Sequence, residues 1–264
     1  MGTEQPITGL WVYCVIENKG AIPPDIRGIH GTSPVISVAC GDFALVVSEE
    51  PMKKYPLMRD TLIAHQLVNE KVLQTQPVLP VRFCTMATNA EQIIEQVLKS
   101  EERTVEFRKA LIEIRGKNEY GFRARWKNLE QVFANLPNEN EKLRVAKENI
   151  LKLPSPERRG ALIEIGHIVK EALEEKNKAV AESMIRELAP YAFRNKKNNV
   201  LGDMNILNAA FLVEEKRQQE FDAAVNALVA KQESDIQFKY IGPIPPFNFI
   251  EIVIRWDNDV KKEL

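Results

Sequence analysis

The chain has 264 residues, enough for one large or two ordinary domains, each able to bury a core. Its 36 Lys plus Arg against 37 Asp plus Glu leave a formal net charge of −1, which argues against the basic excess of a nucleic-acid protein and against a polybasic membrane contact. Its longest clean apolar run, residues 10–16, falls far short of the ~20 residues a spanning helix needs. Residues 1–6 lack the charged and apolar regions of a signal peptide, and Pro6 stands where a myristoylation motif wants Ser or Thr. The odd set Cys14, Cys40 and Cys84 fits a reducing compartment, so a soluble, cytoplasmic protein is expected.

In chain order, residues 10–16 are apolar on both faces, as in a central strand covered on both sides. A loop rich in Pro and Gly leads to a hairpin, residues 35–39 and 43–48, turning at Cys40-Gly41-Asp42. A helix is expected from 57 to about 74, an irregular or edge strand over 77–83, and one long helix from 90 to about 115. Residues 119–126 alternate, with Tyr120, Phe122, Ala124 and Trp126 on one face. The order is closest to a ferredoxin-like sandwich, assigned to residues 1–130.

Residues 131–264 are expected to form a second α+β domain, with a helical hairpin from about 143–151 and 156–188. A short strand over 191–197, a better one over 206–213 and a helix over 214–231 follow. Ile236, Phe238 and Tyr240 share one face of the next strand, and Ile250, Ile252, Ile254 and Trp256 share one face of another. Between them Pro243, Pro245 and Pro246 cannot donate ladder hydrogen bonds and impose a stiff extended turn. Together these complete a small ferredoxin-like βαββ sheet, so the expected class is α+β with two domains.

No catalytic constellation emerges. The cysteines lack paired C-x₂-C spacing, and as a buried residue type they read as core, with Cys40 the one expected to be exposed. His30, His65 and His167 do not fall at metal-ligand spacing. A Cys84–His65 pair has nothing to orient the base, and His65 reads as a structural residue bonded beneath the sheet. Gly28-Ile29-His30-Gly31 is not followed by the Lys-Ser/Thr pair of a phosphate loop. The charge-rich helical faces and the cluster Arg194-Asn195-Lys196-Lys197 read as solvated surface.

Several segments, in their order, resemble the gas vesicle protein GvpF/GvpL family across nearly the whole chain. They are Leu10-Trp11-Val12-Tyr13-Cys14-Val15, Gly28-Ile29 with Gly31, the hairpin at Gly41-Asp42, and His65 followed by Pro77-Val78-Leu79-Pro80-Val81-Arg82-Phe83. Leu207-Asn208-Ala209-Ala210-Phe211-Leu212-Val213 and the closing Gly-Pro-x-Pro-Pro-aromatic-Asn-Phe segment complete the set. Two positions depart from the pattern: Cys84 stands where glycine is usual, and Ile244 where tryptophan is common. The resemblance implies a minor structural or accessory protein of gas vesicles, without catalysis or cofactor. It implies binding to the hydrophobic shell protein GvpA and to other gas vesicle accessory proteins, and help in nucleating or assembling the shell. Candidate partner-binding residues are Phe247, Phe249 and Arg82, together with exposed strand edges. The competing reading is a ferredoxin-like small-molecule-binding regulatory protein or enzyme, which requires a discrete pocket near His65, Arg82 and Cys84.

Overall fold

Strand β1 (Thr8–Glu17) is the axis of the first sheet, and Trp11 through Ile16 are at most 1% exposed. Trp11, Tyr13, Cys14 and Ile16 belong to one apolar cluster and Val12 and Val15 to another. Adjacent Tyr13 and Cys14 share a face because the register against the neighbouring strand shifts between Val12 and Cys14, the mark of a β-bulge. Cover on both sides explains the unbroken apolar run, each such side chain contributing about 1.5–3 kcal/mol by leaving water.

The computed structural model describes residues 7–152, 154 and 158–256. Its described residues up to Glu119 and from Pro243 onward form one unit, and Tyr120–Gly242 form a second. In the first, β2 (Val35–Cys40) and β3 (Phe43–Pro51) make the expected hairpin, α1 (Arg59–Leu73) follows, and β4 (Leu79–Pro80) and β5 (Met86–Ala87) both pair with β1. The sheet order is β2-β3-β1-β4. Because β3 and β4 are each antiparallel to β1, they run parallel to each other across it, joined by α1 as a split β-α-β unit. Val68 and Val72 of α1 cover one face of the sheet.

The other face takes Phe107, Leu111 and Ile114 of α3 (Glu101–Ile114). The single helix expected over 90–115 is broken. Helix α2 (Ala90–Ile93) runs into a π-helical turn, Ile94–Leu98, and the chain restarts at Ser100, whose Oγ accepts from Arg103 N at 3.4 Å. Ser100 followed by Glu101 and Glu102 is a helix start by capping and dipole alike, and it outweighs the continuous apolar periodicity.

The second unit contains β6 (Lys117–Trp126) from Tyr120 onward, which the sequence reading had placed in the N-terminal domain. Helices α4 (Leu129–Glu139), α5 (Glu141–Lys152) and α6 (Arg158–Leu188) follow, then β7 (Arg194–Lys197), β8 (Asn205–Glu214), α7 (Gln218–Gln232) and β9 (Ile236–Ile244). The sheet order is β7-β8-β6-β9. Arg125 reaches Gln237 while Lys127 reaches Asp235, and Trp126 reaches Met204 while Arg123 reaches Asn208, so β6 is antiparallel to both neighbours. Strands β8 and β9 therefore flank it in parallel, joined by α7, repeating the split β-α-β of the first sheet. Tyr120 stacks on Tyr240 and Phe122 on Phe238 across the strands, with ring centroids 5.7 and 5.5 Å apart.

Residues 250–256 keep their expected alternation but do not join the second sheet. Ile252 bridges Val81 in parallel, and Ile252, Ile254 and Trp256 pack with Val12, Leu79 and Phe107 in the first unit. The expected strand is reduced to that single bridge: period two names a buried face, not the pairing a segment makes, and here the segment covers the open side of β4.

His65, 2% exposed, accepts a hydrogen bond at Nδ1 from Trp11 Nε1 at 3.0 Å. Burial lowers its pKa from 6.5 to about 4, so the ring is neutral in the fold. Below the unfolded value the unfolded chain gains a proton that the folded chain refuses until about pH 4. Stability should fall by roughly 3 kcal/mol from His65 between pH 6.5 and 4. Urea denaturation at stepped pH checks this, with His65→Asn expected to flatten that portion of the profile.

Candidate functional site

The proline segment is a clasp as well as a turn. Pro245 and Pro246 are buried, and their carbonyls accept from Phe247 N at 2.7 Å and from Phe249 N and Ile250 N at 3.0 and 2.9 Å. The residues that cannot donate thus serve as acceptors, which closes the turn. At its apex the Asn248 backbone N donates to Glu119 Oε2 at 2.8 Å, and its Nδ2 donates to Oε1 at 2.5 Å. Glu119 is fully buried, so these bonds compensate the desolvation of a carboxylate. Phe247 and Phe249 flank this anchor, each half-exposed.

Arg82 lies elsewhere on the first unit. It pairs with Glu251 at 3.2 Å, and its backbone N donates to Ile252 O at 3.0 Å. It opens a tight turn through Phe83 and Cys84 to Thr85, whose Oγ1 donates to Arg82 O at 2.7 Å. Cys84 has φ +68°, the left-handed conformation that glycine adopts without cost. The position where glycine is usual is therefore one where backbone geometry asks for it. Cys84, rather than Cys40, is the exposed thiol; Cys40 is half-buried at the end of β2. Arg82 and Cys84 line an open groove of about 630 Å³, whereas Phe247, Phe249 and His65 do not. His65 is buried beneath the sheet with Nδ1 taken by Trp11, and it does not line the groove that holds Cys84.

A buried polar chain secures the loop before β2. Ile29 N donates to Tyr13 OH at 3.0 Å, Tyr13 OH and Ser48 Oγ lie 2.8 Å apart, and Ser48 Oγ donates to Glu50 Oε1 at 3.0 Å. Glu50, 1% exposed, also meets His30 Nδ1 at 2.6 Å. A Cβ on Gly28 would collide with Glu50 Oε1 and Ser48 Oγ, so the glycine lets the loop seat on them. Burial and the nearby Glu50 raise the Tyr13 pKa and keep the phenol protonated. Sequence reading passed over Ser48 and Glu50, although extending the alternation of Ala44 and Val46 places both on the core face. Each of these side chains is engaged by another member of the network. Its work is to hold the loop. Among the described residues no three His, Cys, Asp or Glu side chains gather as a metal site, and no helix is long and apolar enough to cross a membrane.

Two edges of the sheets differ in chemistry. Strand β7, Arg194-Asn195-Lys196-Lys197, is exposed throughout and carries the cations that discourage strand addition. Strand β2, Val-Ile-Ser-Val-Ala-Cys, has no charge and no proline, and its outer side pairs with no strand among the described residues. Ile36 on it is 49% exposed.

Fold and surface together define an α+β protein of two sheets whose accessible features are an edge, a turn and an open groove. The family model for gas vesicle synthesis protein GvpL/GvpF matches residues 9–251, and the chain belongs to this family. Gas vesicle protein F of Dolichospermum flosaquae is 23% identical over 247 residues, covering 92% of this chain and 98% of that one. Gas vesicle protein F of a Streptomyces species is 26% identical over 243 residues, covering 91% and 99%. The crystal structure of GvpF from Anabaena sp. PCC7120 superposes with a TM-score of 0.78 at 21% identity, covering 93% of this chain and 99% of that one, a likeness of fold. Membership gives the chain an accessory role in gas vesicles, within a family that is structural rather than catalytic.

Two substitutions test this geometry by urea denaturation. Asn248→Ala removes a donor from the buried Glu119 carboxylate and should cost about 1.5–3 kcal/mol. Cys84→Gly relieves the left-handed backbone at some cost in unfolded-state entropy and should stabilise by about 0.5–1 kcal/mol, whereas Cys84→Val should destabilise.

Proposed function

We propose that this chain binds the gas vesicle shell protein GvpA and helps to nucleate or assemble the shell, acting at the vesicle in the cytoplasm. A shell that holds gas needs a strongly apolar inner face, so its free subunits carry patches and edges that aggregate. A partner that covers them keeps the subunits competent for assembly. The observation that carries this reading is the uncharged outer edge of β2, which contrasts with the edge strand β7 of the other sheet, guarded by cations. An extended segment added to β2 would gain main-chain hydrogen bonds and contact with Ile36. Phe247 and Phe249, half-exposed around a rigid anchor, and Arg82 on the groove are proposed as further contacts. Other gas vesicle accessory proteins are proposed as additional partners.

The competing reading, a ferredoxin-like small-molecule-binding protein or enzyme, finds less support. Arg82 and Cys84 line an open groove, and His65 is sealed beneath the sheet. Co-expression with the shell protein should yield a co-purifying complex and less aggregated shell protein. Replacing Ile36 and Ala39 by Lys should reduce capture about tenfold or more without unfolding the chain. The reading fails if the purified protein neither binds the shell subunit nor is found in isolated vesicles.

A further inference from the structure

The groove beside Arg82 has a composition unlike the rest of this nearly neutral chain. Lys53, Lys54, Arg82 and Arg255 line it, and none of its lining residues is an acid. Lys53 stands 5.1 Å over the Tyr55 ring and Arg82 shares Glu251, while Lys54 and Arg255 form no ion pair with a described residue. Between the cations lies apolar surface: Met52, 39% exposed, with Phe83 and Met86 half-exposed. Ile254 and Trp256, at 8% and 7% exposure, close the floor.

Each part has a structural origin. The turn at Cys84 projects residues 82–85 along one side, and the segment bridged to Val81 by Ile252 supplies Val253 through Trp256 along the other. Exposed methionines suit an adaptable protein-binding surface, because the thioether side chain is flexible and polarizable. Cations flanking an apolar strip select a ligand with the reverse layout, and like-charged partners are repelled. A nucleic acid or a phosphate group would satisfy the cations and leave the strip of Met52, Phe83 and Met86 without a match.

We propose that this groove is a docking site for an amphipathic segment of a partner protein, its apolar face on Met52, Phe83 and Met86 and its carboxylates on Lys53, Lys54, Arg82 and Arg255. The inference rests on the assembly-factor reading only in taking the occupant to be a protein segment; the chemistry comes from the groove. Electrostatics steer the segment in, and burial of its apolar residues holds it.

Cys84 reports occupancy directly, since it is exposed and lines the groove. In the full-length chain with Cys40→Ser, alkylation of Cys84 would be followed with three short synthetic helical peptides. One carries Leu on one face and Glu on the other, the second has Lys for Glu, and the third has Ser for Leu. The Leu/Glu peptide should slow alkylation about tenfold at saturation and the other two should not. Lys54→Glu with Arg255→Glu should weaken that peptide about tenfold or more, as should raised salt, and should create binding of the Leu/Lys peptide. This gain of binding cannot come from a chain that has failed to fold.

Equal protection by all three peptides, protection by none, or protection by anionic lipid vesicles in place of the peptide would overturn the proposal. The two readings separate on capture of the shell subunit. A charge-reversed chain that still captures it at full strength, while no peptide binds, leaves the assembly role standing and removes the groove. Peptide binding without shell-subunit capture does the opposite.

Discussion

The buried bond between Glu119 and Asn248 is the constraint on which this fold turns. The first unit ends at Glu119, and the chain returns to it at Pro243. The carboxylate of the departing strand therefore holds both a backbone and a side-chain donor of the returning segment. A charge withdrawn from water is tolerable only with such donors, so the two crossings stay fastened to each other. Pro245 and Pro246 limit the conformations the returning segment can sample and so lower the entropy cost of presenting Asn248.

From that fastening follows the completion of the first core. Ile252, Ile254 and Trp256 arrive in register beside Val81 and pack with Val12 and Phe107. They cover the side of β4 that would otherwise be open, leaving β2 as the uncovered edge of that sheet among the described strands. The same segment supplies one wall of the basic groove through Arg255. One long-range contact thus helps to close one edge of the sheet and to form the groove alongside it.

Local pattern carried much of the fold. The apolar run of β1, the Gly41 hairpin and the alternations of β6 and β9 were readable because burial on known faces writes directly into residue order. His65 was readable as a structural residue, and its bond from Trp11 gives the detail. What escaped was non-local. Residues 120–126 and 250–256 showed which side is buried, but nothing in a strand's periodicity names its neighbour, so each was given to the wrong sheet. The Ser100 cap was legible and lost to a competing signal. Ser48 and Glu50 were legible by extending the alternation of β3. Glu119 was not, because a single acid in an alternating strand looks the same whether it faces water or the donors of an asparagine.

The split of the first unit along the chain also sets an order of events during synthesis. Residues 120–242 are contiguous and can collapse as soon as they leave the ribosome, whereas the earlier unit must wait for residues 243–256. Until that segment emerges, the side of β4 lies bare and the groove lacks the wall that Val253 through Trp256 provide. The groove is therefore complete only once the chain has been made through Trp256.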